Sequence, residues 1–242
     1  MAILDNFLLI GLPYTALIVF LVGTIYRYKA TKFSYSSLSS QFLEGRQLFW
    51  GAMAFHWGIL FLFFGHLTAF LIPRQVITFN SHPLRLLILE VTAFAFGLIV
   101  LFGIITLLVR RISNPRLKPV TSRMDIVIIA LLIVEVVLGL LVALNARWGS
   151  TWFAAVLTPY LRSIFILQPD IAAVSALPWL IKWHIVGAYV IFGLIPFTRL
   201  VHLLVVPLHY LWRPYQRVLW AWPRKKVRDP NSEWTFTKPG NN

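Results

Sequence analysis

Apolar positions along this chain neither alternate nor recur at a helical period; they run on almost unbroken. Five runs are about 20 residues or longer, enough to cross roughly 30 Å of hydrocarbon as helix. They extend from Phe7 to Ile25, Phe49 to Ile72, Leu86 to Val109, Asp125 to Leu144 and Leu180 to Val206. Lipid offers no partner to an unpaired peptide group, so each run must satisfy its backbone internally, as a helix does. A membrane β-barrel would show short alternating segments instead. The pattern predicts an all-α integral membrane protein with five transmembrane helices in a domain of residues 1–209. The first run reads as a retained helix. Its apolar stretch is long for a leader, no basic residues precede it, and Asp5 stands where a leader carries positive charge.

The connections differ among themselves. Residues 27–48 are polar and rich in serine, the character of a cytoplasmic connection. Residues 147–178 are long for a loop, and Trp152, Phe153, Tyr160, Phe165 and Ile166 predict an amphipathic stretch in the outer interface. A second region, 210–242, mixes Trp212, Trp220, Trp222 and Trp234 with basic residues, a signature of the headgroup zone or of a protein-binding surface.

Composition narrows the class. With 59% hydrophobic and 12% charged residues over 242 positions, the chain lacks the polar surface a soluble domain of this size needs. It contains no cysteine, which excludes disulfides, thiolate ligands and covalent haem attachment through Cys-x-x-Cys-His. The net charge of +14 would suit nucleic acid if it were spread over one surface. It falls instead into three clusters: Arg27, Lys29, Lys32 and Arg46; Arg110, Arg111, Arg116, Lys118 and Arg123; and Arg199 together with the basic residues that follow it. All three lie on one side of a five-helix topology. The positive-inside rule then sets the N-terminus outside and the C-terminus in the cytoplasm of a prokaryotic cell membrane. The charge is for lipid headgroups or an acidic partner face, not for nucleic acid.

Ionisable residues inside apolar spans are costly, and each is a functional hypothesis. The second run holds His56 and His66; the fifth holds His184 and His202. A lone membrane histidine is commonly a packed, hydrogen-bonded residue, but four of them paired on two helices are hard to assign to packing alone. At about 1.5 Å rise per residue, His56 and His66 are roughly 15 Å apart along their helix and about 80° apart around it. His184 and His202, eighteen residues and five turns apart, leave one face roughly 27 Å apart. The two spans run in opposite directions, so His56 pairs with His202 near the cytoplasm and His66 with His184 near the outside. Zinc or copper wants three or four ligands at one point, whereas two levels of two imidazoles suit two b-type haems with bis-histidine ligation. His209 is a rival ligand, seven residues beyond His202.

These residues resemble the gamma, or cytochrome b, subunit of membrane-bound respiratory nitrate reductase. The likeness covers nearly the whole chain to about Tyr215. It rests on the stretch from Gly23 to Arg27, on Ser39-Ser40-Gln41, on Phe55-His56 through Gly65-His66, and on Arg110-Arg111 with Pro115-Arg116. Asp125-Ile126 and the run from Pro196 to His202 followed by Val206-Pro207 match as well. The resemblance implies a menaquinol dehydrogenase that holds two b haems, the outer by His66 and His184 and the inner by His56 and His202. It would pass electrons to an iron–sulfur subunit and on to a molybdenum catalytic subunit at the cytoplasmic face. The implied quinol site comprises Gly65, His66 and a lysine whose place Arg85 takes here, keeping the charge but changing the donor geometry. Glu135 takes the place of a glutamine. Glu90 and Glu135 would accept quinol protons or pair with Arg85 or a ligand imidazole; a buried, protonated carboxyl is the plainer reading of each. Arg111 and Arg199 would meet haem propionates or simply anchor the inner face. Three other readings remain open: a related subunit serving a sulfite- or heterodisulfide-linked complex, a cofactor-free membrane anchor, and a transporter or proton channel. Against the last stand the missing internal repeat and the separation of the acids from the histidines.

Overall fold

The computed structural model describes residues 2–30, 43–146 and 148–204. The chain divides into a unit of residues 1–205 and one of residues 206–242. The second, with His209 and the aromatic basic region, lies outside the described residues, as do most of the serine-rich connection and Arg147. In chain order the helices are α1 (Ile3–Ala30), α2 (Arg46–Leu71), the short α3 (Pro73–Asn80), α4 (Pro83–Ser113), α5 (Arg123–Asn145), the short α6 (Thr158–Phe165) and α7 (Trp179–Leu194). Single helical turns lie at Gly149–Trp152 and Ala172–Ser175. Helices α1, α2, α4, α5, and α7 with its extension to Phe197, are long and apolar enough to cross a membrane. Five spans are therefore present, and no strand occurs among the described residues.

One end of this unit gathers the start of α1, the end of α2, α6 and the start of α7. Arg162 donates to the carbonyls of Phe70 and Leu71, two acceptors that the end of α2 leaves without helical donors. Lys182 and Asp5 form a buried ion pair at 2.9 Å, binding α7 to α1. The predicted amphipathic stretch is largely helical here: a π turn at Phe153–Leu157 leads into α6. Its Tyr160 is buried, whereas Phe165 and Ile166 are exposed.

The arginine-rich end is held by carboxylates. Glu44 accepts from the main-chain N–H groups of Gln47 and Leu48 at the start of α2 and from Arg110 Nε at 2.6 Å. Burial alone would raise the Glu44 carboxyl, but the Gln47 N–H, the Arg110 guanidinium and the Leu48 N–H outweigh it and hold it below its ordinary value. At the start of α5, Ser122 and Asp125 form a reciprocal capping box.

Between these ends the spans touch through glycine. A Cβ on Gly103 of α4 would lie 2.5 Å from the Phe55 main-chain nitrogen and 2.9 Å from the Gly51 carbonyl oxygen, both on α2. One on Gly58 would meet Val100 at 2.5 Å. The two backbones are close because these side chains are absent, a packing mode suited to helices that cannot use hydrophobic expulsion from lipid.

The fifth span departs from expectation. A continuous helix from Leu180 to Val206 is predicted, but α7 stops at Leu194. A 3-10 turn follows at Ile195–Phe197, Thr198 is extended (φ −122°, ψ 178°), and a second 3-10 segment covers Arg199–Leu204. Pro196 is the cause. It has no N–H for the Phe192 carbonyl, and its ring opposes a further α turn. The broken segment is tied to α1, where Arg27 Nη1 donates to the Pro196 carbonyl at 2.7 Å. A Cβ on Gly23 would lie 2.7 Å from Phe197 Cζ.

Candidate functional site

His56 and His202 meet. Their ring centroids are 5.9 Å apart, although the five-turn register that would place His184 and His202 on one face is lost at Pro196. Instead His202 is set by its own 3-10 segment: Arg199 Nε reaches Asp125 Oδ1 at 2.6 Å, and Arg199 Nη2 reaches the Val120 carbonyl. The Arg199 carbonyl in turn accepts from His202 Nδ1 at 2.5 Å. Asp125 also takes Arg111 Nη1 at 3.3 Å. Thus Arg111 and Arg199, predicted near propionates, converge on one carboxylate that joins the end of α4, the start of α5 and the 3-10 segment. In the sequence Asp125 stands at the start of the fourth apolar run and in the Asp125-Ile126 match. The capping pattern Ser-x-x-Asp was the available signal for its local role, but nothing in the sequence shows the two arginines reaching it.

The donor set fits bis-histidine ligation. Two imidazoles on opposite faces of one metal, at the roughly 2 Å typical of metal–imidazole bonds, bring their ring centres about 6 Å apart. His56 Nδ1 donates to the Ala52 carbonyl at 2.7 Å and His66 Nδ1 to the Leu62 carbonyl at 2.8 Å. Carbonyls only accept, so in His56, His66 and His202 the proton is on Nδ1 and the Nε2 lone pair is left for a metal. This is the arrangement by which a hydrogen bond fixes the tautomer of a ligating histidine. Among the described residues no three His, Asp or Glu side chains converge as a compact metal site would require.

The other level is built differently. His66 packs edge-on against Phe153, centroids 5.1 Å apart, so the π turn before α6 covers it. His184 and Glu135 are within electrostatic range of His66. His184 Nδ1 is 3.0 Å from Glu135 Oε1. That contact is close but badly angled, so Nδ1 has no hydrogen-bond partner; only rotation separates the pair from a bond. The Glu90 carboxyl faces the main-chain N–H groups of Trp148 and Gly149, leaving Oε1 buried without a partner. Gly65 borders open space, since a Cβ there would meet nothing within 4 Å. Arg85 stacks over Phe79, 5.7 Å from the ring centre, and with Arg74, Gln75 and Thr78 lines an open cavity of 440 Å³. No hydrogen bond, ion pair or ring contact among the described residues joins Arg85 to Gly65 or His66.

Five apolar helices, each long enough to cross a bilayer, define a multi-pass membrane protein. Residues 5–221 match the family described as nitrate reductase gamma subunit. The chain is 34% identical over 208 residues to the nitrate reductase gamma chain of Bacillus subtilis, covering 84% of this chain and 93% of the relative. It is 30% identical over 209 residues to the respiratory nitrate reductase 1 gamma chain of Escherichia coli, covering 85% and 93%. The chain belongs to the nitrate reductase gamma subunit family. It is accordingly a membrane component of a respiratory oxidoreductase.

Proposed function

We propose that this chain is the quinol-oxidising, dihaem cytochrome b subunit of its complex. It takes electrons from (mena)quinol and delivers them to an iron–sulfur subunit, which supplies a molybdenum subunit that reduces nitrate. The observation that carries this reading is the His56–His202 pair, 5.9 Å between ring centres, with each Nδ1 committed to a carbonyl and each Nε2 left for iron. Bound at the two levels, b-type haems would supply one-electron carriage across the bilayer.

The residues divide the work. His56 and His202 hold the inner group, His66 and His184 the outer. Gly65 leaves room for a quinol ring beside His66, and Arg85 offers a cationic donor to a quinol oxygen. Glu90 is the carboxyl that would receive protons released by oxidation, while Glu135 faces the His184 imidazole. Phe153 shields the His66 ring from water. The chain has no cysteine for an iron–sulfur cluster, which assigns that cluster to a partner. The basic end faces the cytoplasm in this reading, so electrons move inward while protons leave outside. Each charge moved is worth about 2.3 kcal/mol per 100 mV. Residues 210–242, basic and rich in tryptophan, would meet the partner or the lipid surface on that side.

The haem-to-polypeptide ratio of the detergent-purified complex tests the reading, with low-temperature spectra of the reduced form. Two haems per chain are expected, and His66→Ala or His184→Ala should each remove one haem and abolish quinol oxidation. If both variants keep two haems with unchanged spectra, the ligand assignment is wrong.

A further inference from the structure

Three of the four candidate ligands direct Nδ1 to a main-chain carbonyl three or four residues back. His184 does not; its Nδ1 faces a carboxylate on another helix. The sites of the two side chains are shaped reciprocally. Gly139, one turn after Glu135 on α5, lies under the imidazole, where an added Cβ would be 3.1 Å from His184 Cε1. Gly187, three residues after His184 on α7, lies under the carboxyl, where an added Cβ would collide with Glu135 Oε2. Each polar group thus occupies the space left by a missing side chain on the facing helix. Glu135 Oε2 and His184 Nδ1 are both buried without a formal hydrogen bond. Burying such groups unpaired is expensive, and the acceptor beside His184 Nδ1 is the other oxygen of the same carboxyl, Oε1, 3.0 Å away. The shortfall is angular, and the terminal torsions of both side chains are soft.

We propose that Glu135 is the positioning residue for His184. Its carboxylate accepts the Nδ1 proton, fixes Nε2 as the atom presented to iron, and gives this imidazole more anionic character than its three carbonyl-bound counterparts. The inference rests on His184 being an iron ligand. A carboxylate acceptor raises ligand basicity more than a carbonyl does, and a more basic ligand favours the oxidised metal. The outer haem therefore has a lower potential than it would with a neutral acceptor at position 135.

The test uses Glu135→Gln and Glu135→Leu in the full complex, read by haem content, low-spin electron paramagnetic resonance of each haem, and redox titration. His184→Ala identifies which signal belongs to the outer haem. Glu135→Gln keeps an acceptor of the same shape, so both haems should remain, with the outer potential moved upward and the inner unchanged. Glu135→Leu removes the acceptor, and outer-haem retention should weaken about 10–100-fold, as is usual when the partner of a metal-bound histidine is lost. An outer haem with parental potential and resonance in both variants would reduce Glu135 to a packing residue and overturn the proposal. Loss of neither haem in His184→Ala would overturn the ligand assignment itself, a distinct failure.

Discussion

Pro13 removes one peptide donor from α1, and the consequence reaches α6. Without an N–H at position 13 the Leu9 carbonyl loses its α-helical donor. The helix widens into a π turn over Phe7–Gly11, closed by the Leu12 N–H on the Phe7 carbonyl. Tyr160 Oη then donates to Leu9 at 2.7 Å, and Tyr189 Oη donates to Tyr160 Oη at 3.3 Å. Burial above all, with Tyr189 and Tyr14 beside it, pushes the Tyr160 phenol far above its ordinary value, so it stays a neutral donor. Tyr160→Phe keeps the ring and orphans a carbonyl whose residue is fully buried. The expected loss is about 1–3 kcal/mol, visible as a lower thermal midpoint of the purified protein in detergent; an unchanged midpoint would show that the Leu9 carbonyl is satisfied in some other way. Asp5 illustrates the same economy. It has its counterion 177 residues away in Lys182, which also lies 4.5 Å from the centre of the Trp179 ring. Neither partner could be assigned from the sequence, because nothing local marks which distant group each will meet.

At the scale of helices, the five spans were legible because membrane insertion demands long apolar runs, and the four histidines were legible because ionisable groups stand out within them. What could not be read was the register between helices. Glu135 and Gly139 carry no sign that α7 presents His184 and Gly187 to them. Pro196 was visible, but proline is tolerated in membrane helices wherever neighbours re-satisfy the backbone, so the residue alone does not announce a break. The α2–α4 crossing makes the cost of register concrete. Gly103→Leu places a branched side chain where even a Cβ lies 2.5 Å from the Phe55 nitrogen, and backbone cannot step aside as a flexible side chain can. Overpacking typically costs about 1–3 kcal/mol. The displacement falls at the residue before His56, so the inner haem signal should be lost along with thermal stability. Gly11→Ala is the control, because its Cβ would meet only Phe7 Cδ2 at an ordinary 3.7 Å. Equal behaviour of the two variants would mean that the close crossing is not what sets His56.

For the whole molecule, the orientation of the bundle decides whether turnover moves charge across the membrane. The contacts sort themselves by end: Asp5–Lys182 and Arg162 with the Phe70 and Leu71 carbonyls at one, Glu44–Arg110 and Asp125 with Arg111 and Arg199 at the other. Among the described residues, the basic clusters around Arg27, Arg110 and Arg199 coincide with the second end, and translocation disfavours passing such clusters outward. The complete lack of cysteine makes this directly measurable. Ser81 follows α3 and Ser113 ends α4, and both are exposed; neither is placed among the ligands or the quinol residues. In intact cells a membrane-impermeant maleimide should label Ser81→Cys and leave Ser113→Cys unmodified until the membrane is opened. The reverse pattern would put His56 and His202 on the outer side, so that electrons leaving through that pair could not reach a cytoplasmic partner, and the proposed charge movement would fail even if both haems were present.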